Sequence, residues 1–98
     1  MHVYVGAVTN PTLPPVLYVP TSRPGPGGEE AHVELRRTGD GRTVLMAYSA
    51  LDRLVSCCGE GQAWVLIGTE HLPKIHERLP YDVIFLDTDI PEDLRHPV

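Results

Sequence analysis

Hydrophobic positions along this chain change period at identifiable points. Arg42–Gly68, RTVLMAYSALDRLVSCCGEGQAWVLIG, reads as strand, helix, strand. Arg42–Ala47 is a short apolar run of strand length. Ser49 offers a side-chain oxygen to the orphan N–H groups of a helix start, and Asp52 three residues on answers as a weak capping box. Leu51, Leu54, Val55 and Cys58 recur at helical spacing and form one apolar stripe. Gly59 can take the left-handed conformation that ends a helix, Gly61 loosens the turn, and Ala63–Ile67 is a second buried run. This spacing predicts a βαβ unit with parallel strands and a right-handed crossover.

The flanking chain is patterned in the same way. His2–Val8 alternates, with Val3, Val5 and Ala7 on one side, and predicts a strand that Asn10-Pro11 ends. Val16–Val19 is a second short strand, closed by Pro20. Pro20–Glu30, PTSRPGPGGEE, has no apolar residue and predicts an exposed, flexible loop. Ala31–Arg37 alternates again and meets the Asp-Gly turn at Thr38–Gly41. An antiparallel hairpin with Arg42–Ala47 follows, its first arm near a sheet edge and blunted by charge. Thr69–Leu79 carries Leu72, Ile75 and Leu79 on one face of a helix whose first turn Pro73 makes irregular. Tyr81–Leu86 is the last strand, and Asp87–Val98 is a polar tail with one helical turn at Pro91–Arg95. The expected fold is a single α/β domain over residues 1–98: a small mixed sheet in which an antiparallel hairpin leads into parallel βαβαβ.

Composition excludes several classes of function. With a net charge of −5 the chain repels phosphate backbones, so nucleic acid is not an expected partner. Arg36, Arg37 and Arg42 cluster around one turn and read as a solvated hairpin end. Met1–Val8 lacks the positive start, apolar core and cleavage site of a signal peptide. No apolar run is long enough to span a bilayer, so no membrane association is expected. The only two cysteines, Cys57 and Cys58, are adjacent in the predicted helix and cannot easily bridge each other. They read as reduced thiols of a cytoplasmic protein, with Cys58 in the core and Cys57 nearer the surface.

Candidate chemistry is sparse. Asp87-Thr88-Asp89 follows the apolar strand VIFL, and carboxylates two apart can project to one side. Haloacid-dehalogenase-type phosphotransferases place a nucleophile and an acid beside a divalent metal in that way. Here Ile90 and Pro91 stand where that pattern has Gly and Thr, and only nine residues follow Asp89. A small hydrolase or phosphate-ligand protein using Asp87 and Asp89 with a divalent metal is therefore the alternative reading. His71 and His76 are five apart, not the four that would put two zinc ligands on one helix face. Cys57 lies at a helix C-terminus, where the dipole disfavours a thiolate. Ser49, His71 and Asp87 lack a nucleophile elbow. The chain is read as a non-enzyme without catalytic, cofactor or metal residues.

The face pattern is more informative. Val44, Met46 and Tyr48 oppose Thr43, Leu45 and Ala47, and Trp64 and Leu66 oppose Ala63, Val65 and Ile67. Strands apolar on both sides must be covered on both sides. Two crossovers stepping the same way would leave a face bearing Val44, Met46, Tyr48, Trp64 and Leu66 to the N-terminal segment or a second subunit. These five are the candidate interaction residues, and a homo-oligomer, in the simplest case a homodimer, is the expected state.

Four stretches carry a family resemblance: VLYVP at Val16–Pro20, TVLMAYSALDRL at Thr43–Leu54, C-G-x-G-Q-x-W-V at Cys58–Val65 and D-V-I-F-L-D-x-x-x-P at Asp82–Pro91. Together they resemble the SseB-type N-terminal domain, and more closely the small stand-alone actinobacterial proteins that share it. The resemblance runs from about Val16 to Pro97 and leaves Met1–Pro15 outside. It implies a small α/β domain, tied by name to secretion, with no established enzymatic activity, and so an interaction or regulatory module.

Overall fold

A computed structural model describes residues 2–5 and 13–97. It is a small α/β fold built on two sheets. The strands are β1 (His2–Val5), β2 (Val16–Thr21), β3 (Leu35–Arg37), β4 (Thr43–Ala47), β5 (Ala63–Gly68) and β6 (Val83–Leu86). The helices are α1 (Leu51–Cys58) and α2 (Leu72–Arg78), with single 3-10 turns at Thr69–His71 and Glu92–Leu94. One sheet has the order β1-β6-β4-β3, and β2 and β5 form a separate ribbon.

The antiparallel hairpin leads into a parallel pair as the pattern predicts. β3 pairs with β4 antiparallel, Leu35 opposite Leu45, and Gly41 in the connecting turn has φ 89°. Only the last three residues of the expected first arm join that hairpin, because Val33 bridges to Thr21 instead. The parallel partner of β4 is β6, with Val44 opposite Val83 and Ala47 opposite Leu86. β5 pairs antiparallel with β2, and β2 meets the end of β4 at an antiparallel Tyr18–Tyr48 bridge. β5 therefore runs in the same sense as β4 but with β2 between them. The crossover through α1 skips a strand.

This insertion decides where the helices lie. From β4 the chain steps past β2 to β5, then returns past β4 to β6. The strand order reverses, so right-handed crossovers put the two helices on opposite faces. One core holds Leu17, Val19, Leu45, Ala47, Ile84 and Leu86 with Leu72 of α2. The other holds Val44, Met46, Tyr48 and Val83 with Leu54, Cys57 and Cys58 of α1, closed by Ile90 of the tail. The expectation that one face of β4 needs outside cover is corrected here. Val44, Met46 and Tyr48 are 1%, 5% and 0% exposed within the single chain.

Several local expectations shift. β2 runs through Pro20 to Thr21, so the strand is not closed by proline, and the exposed loop starts at Ser22. Proline is accommodated because only its carbonyl is used: Glu34 N–H donates to it at 3.0 Å. The N-cap of α1 is Ala50 and has no side-chain cap, so the Ser49–Asp52 capping box does not form. Gly59, at φ 92°, ends α1 with its N–H on Val55 C=O at 2.8 Å. Cys57 is buried, not near the surface. The strand expected over His2–Val8 is described for His2–Val5, which pairs antiparallel with β6; the Asn10-Pro11 stop lies outside the described residues.

Candidate functional site

Two places could carry function: the carboxyl ends of the parallel pair β4 and β6, and the ribbon strand β5. The first lies outside the carboxyl ends of the parallel strands, the side on which open α/β sheets commonly bind ligands. β4 delivers Tyr48 and Ser49 into α1, and β6 delivers Asp87, Thr88 and Asp89. Asp87 N–H donates to Ala47 C=O at 2.9 Å, which ties the two strand ends. The Asp87 carboxylate then accepts Ser49 N–H at 2.9 Å on Oδ1 and Ser49 Oγ–H at 2.7 Å on Oδ2. The Arg53 guanidinium stands 3.9 Å from Oδ2. Both oxygens are thus occupied in joining β6 to the entry of α1.

Asp89 does not join Asp87 on common ground. It is exposed and acts on Cys57, whose thiol is pushed up to about 11 by its burial and by the Asp89 carboxylate. Burial likewise raises the Cys58 thiol and the Tyr48 hydroxyl, which donates to Thr88 C=O at 2.6 Å. Neither cysteine presents a thiolate at neutral pH. Among the described residues no three His, Cys, Asp or Glu side chains come together to hold a metal ion. His71 contacts Glu70 at 3.5 Å, His76 meets Tyr81 C=O at 3.0 Å and His96 meets Glu34 at 3.0 Å. The drawn Ser49–His71–Asp87 set is not assembled, because Ser49 bonds Asp87 directly and the partner recorded for His71 is Glu70. Arg42 pairs with Asp40 at 3.0 Å, both half-exposed, as a solvated hairpin end does.

The second place is apolar. β5, Ala63-Trp64-Val65-Leu66-Ile67-Gly68, was expected to be a buried run, and its middle is open. Trp64, Val65 and Leu66 are 42%, 40% and 51% exposed. Trp64 is steadied edge-on by Tyr18, with ring centroids 5.3 Å apart. Leu66 lies opposite Tyr18 in the ladder, so Trp64, Leu66 and Tyr18 share the α1 side of the ribbon, and Val65 takes the other side. Val16 at 40% extends the uncovered surface at the far end of β2.

Of the five interaction candidates, the structure buries Val44, Met46 and Tyr48 and leaves Trp64 and Leu66 open. Val16 and Val65 were missed. The available signal was the absence of any charged residue from β5, which suits a fully buried strand and an unprotected edge equally. Comparison of the chain with protein-family models, curated proteins and solved structures finds no match. Among the described residues no helix is long and apolar enough to cross a membrane.

Proposed function

We propose that this protein is a non-enzymatic interaction module that acts in the cytoplasm and associates with itself through the open surface of β5. The carrying observation is that Trp64 and Leu66 stay exposed side by side on the α1 side of β5, with Val65 exposed on the other side, while Val44–Ala47 of β4 are all buried. Single exposed apolar residues are ordinary, whereas a contiguous patch marks an interaction surface. The sequence resemblance to SseB-type N-terminal domains, and to their small actinobacterial relatives, supports the same reading. The alternative, a hydrolase or phosphate-ligand protein working through Asp87 and Asp89, receives less support. Asp87 is committed to Ser49, and the two carboxylates serve different partners.

Size-exclusion chromatography with light scattering tests the proposal. The expected mass at high micromolar concentration is twice the 10.8 kDa of one chain. A monomer at every concentration overturns it. Thermal melting with and without magnesium or manganese tests the alternative, since a metal bound only by the folded state must raise the melting temperature. No shift is expected.

A further inference from the structure

We infer that a second copy of this chain adds to the sheet at the open edge of β5, antiparallel and about a two-fold axis at Val65. This deepens the self-association proposed above and rests on it. Three observations carry it: the direction of the backbone groups, the lack of edge protection, and the way β5 matches itself.

Backbone direction follows from the bonds on either side of the ribbon. Thr69 N–H donates to Pro15 C=O at 2.9 Å, in line with the register that sets Val16 opposite Gly68 and Leu17 opposite Ile67. Bonded and non-bonded pairs alternate along an antiparallel ladder. Ile67, Val65 and Ala63 therefore turn their N–H and C=O groups toward β2, while Gly68, Leu66 and Trp64 turn theirs away. β2 shows the complementary set. Tyr18, opposite Leu66, exchanges both backbone bonds with Tyr48 on its far side at 2.9 Å each, and Pro20, opposite Trp64, accepts from Glu34. The peptide groups of Trp64 and Leu66 point off the ribbon, where no described strand pairs with β5.

Edges of this kind are normally blunted by brevity, charge or proline. The edge strand β3 is blunted: it has three residues, and two are Arg36 and Arg37. β5 has six residues without a charge or a proline. It is built as an inner strand and, among the described residues, lacks a neighbour on that side.

A second copy fits that vacancy in register. With Val65 on the axis, Trp64 lies opposite Leu66 of the second copy, and Leu66 opposite its Trp64. All four residues have outward-pointing peptide groups, so each pair exchanges both backbone bonds. On the α1 side each exposed Trp64 is covered by a Leu66, and on the other side Val65 packs on its own copy. The two-fold uses one edge per chain, so assembly closes at a dimer.

Trp64 is the only tryptophan, so its emission reports this edge directly. The test combines light scattering and tryptophan emission across a dilution series with three variants. Wild type should pass from monomer to dimer as concentration rises, its emission moving to shorter wavelength in step. Leu66→Lys should weaken dimerisation at least a hundredfold, and Trp64→Lys gives the same reading by mass should Leu66→Lys lose its native circular dichroism. Val65→Cys should form a covalent dimer with oxidised glutathione, because residues on the axis of a non-bonded pair lie within disulfide reach. Leu79→Cys, exposed away from β5, should not. A dimer indifferent to both lysine variants and not cross-linked through Val65→Cys overturns the edge inference while self-association stands. Assembly beyond a dimer overturns the two-fold. A monomer throughout overturns both.

Discussion

Asp87 adopts φ 55°, in the region where aspartate and asparagine are the commonest non-glycine occupants. This turn aims its carboxylate back at Ser49, across a chain separation of 38 residues. A residue whose sequence context suggests phosphoryl chemistry is thereby a stitch between two strand ends. Asp87→Ala should cost about 1–3 kcal/mol, since it leaves the Ser49 N–H and hydroxyl without their acceptor. Asp87→Asn should cost less, because its amide oxygen still accepts from Ser49 N–H and asparagine tolerates the positive φ. Urea unfolding measures both, and an alanine variant as stable as the parent would show the stitch to be idle. Cys57 gives a pH test. Between the ordinary thiol value of 9.0 and about 11, the unfolded chain releases the Cys57 proton while the folded chain keeps it. Folding stability must then fall as pH rises through that window. Tyr48, raised by burial, acts in the same direction. Cys57→Ala should flatten part of the decline in urea midpoint from pH 8 to 10.5, and an unchanged slope would assign the decline to other groups. Neither partner was legible beforehand. Ser49 reads as a cap, and Asp87 as a strand-end carboxylate with chemistry only as the alternative, because what joins them is a contact between strand ends, invisible to local pattern.

At the scale of elements, local pattern served well where the physics is local. The helix-ending Gly59, the Asp-Gly turn before β4, and the irregular start of α2 at Pro73 all depend on backbone preferences within a few residues. The buried face of α1 is rotated from its apolar stripe. Leu51, Leu54, Val55 and Cys58 form an apolar row, yet Leu54, Cys57 and Cys58 are buried while Leu51 and Val55 are 37% and 36% exposed. The cause is the placement of α1 against Met46, Tyr48 and Ile90, which draws Cys57 inward: Ile90 N–H donates to Cys57 C=O at 2.9 Å. Leu54→Ala should therefore destabilise by about 2–5 kcal/mol through the cavity it leaves. Val55→Ala, one position on, should change stability by no more than about 0.5 kcal/mol. Equal effects in denaturant titrations would mean that α1 is turned otherwise than described. Gly61 is a quieter constraint. A Cβ there would collide with the backbone carbonyls of His96 and Pro97, so the tail crosses that turn only because glycine leaves room.

For the whole molecule, the pattern of apolar faces required that both sides of β4 be covered, and they are. What the pattern could not supply was strand order, because β2 and β5 declare their pairing only through contacts far apart in sequence. Placing β2 between β4 and β5 reverses the winding, sends α1 and α2 to opposite faces, and turns β5 from an inner strand into an edge. Amide hydrogen exchange distinguishes the two arrangements residue by residue. The Leu66→Lys chain, kept monomeric by its edge charge, is the form to measure. In the described topology Val44 and Leu45 lie between β6 and β3, and their amides should exchange slowest, near the rate of global unfolding. Within β5 protection should alternate. Val65 and Ile67, bonded to β2, should be slow, while the amides at positions 64 and 66 should exchange many times faster. In wild type, raising the concentration should slow those two amides and leave their neighbours unchanged. Had β5 been inserted directly beside β4 in a sequential parallel sheet, every amide of the strand would be held, with no alternation and no dependence on concentration. Uniform protection along Ala63–Gly68 in the monomer would therefore refute the topology and, with it, the reason Trp64 and Leu66 are free to bind anything.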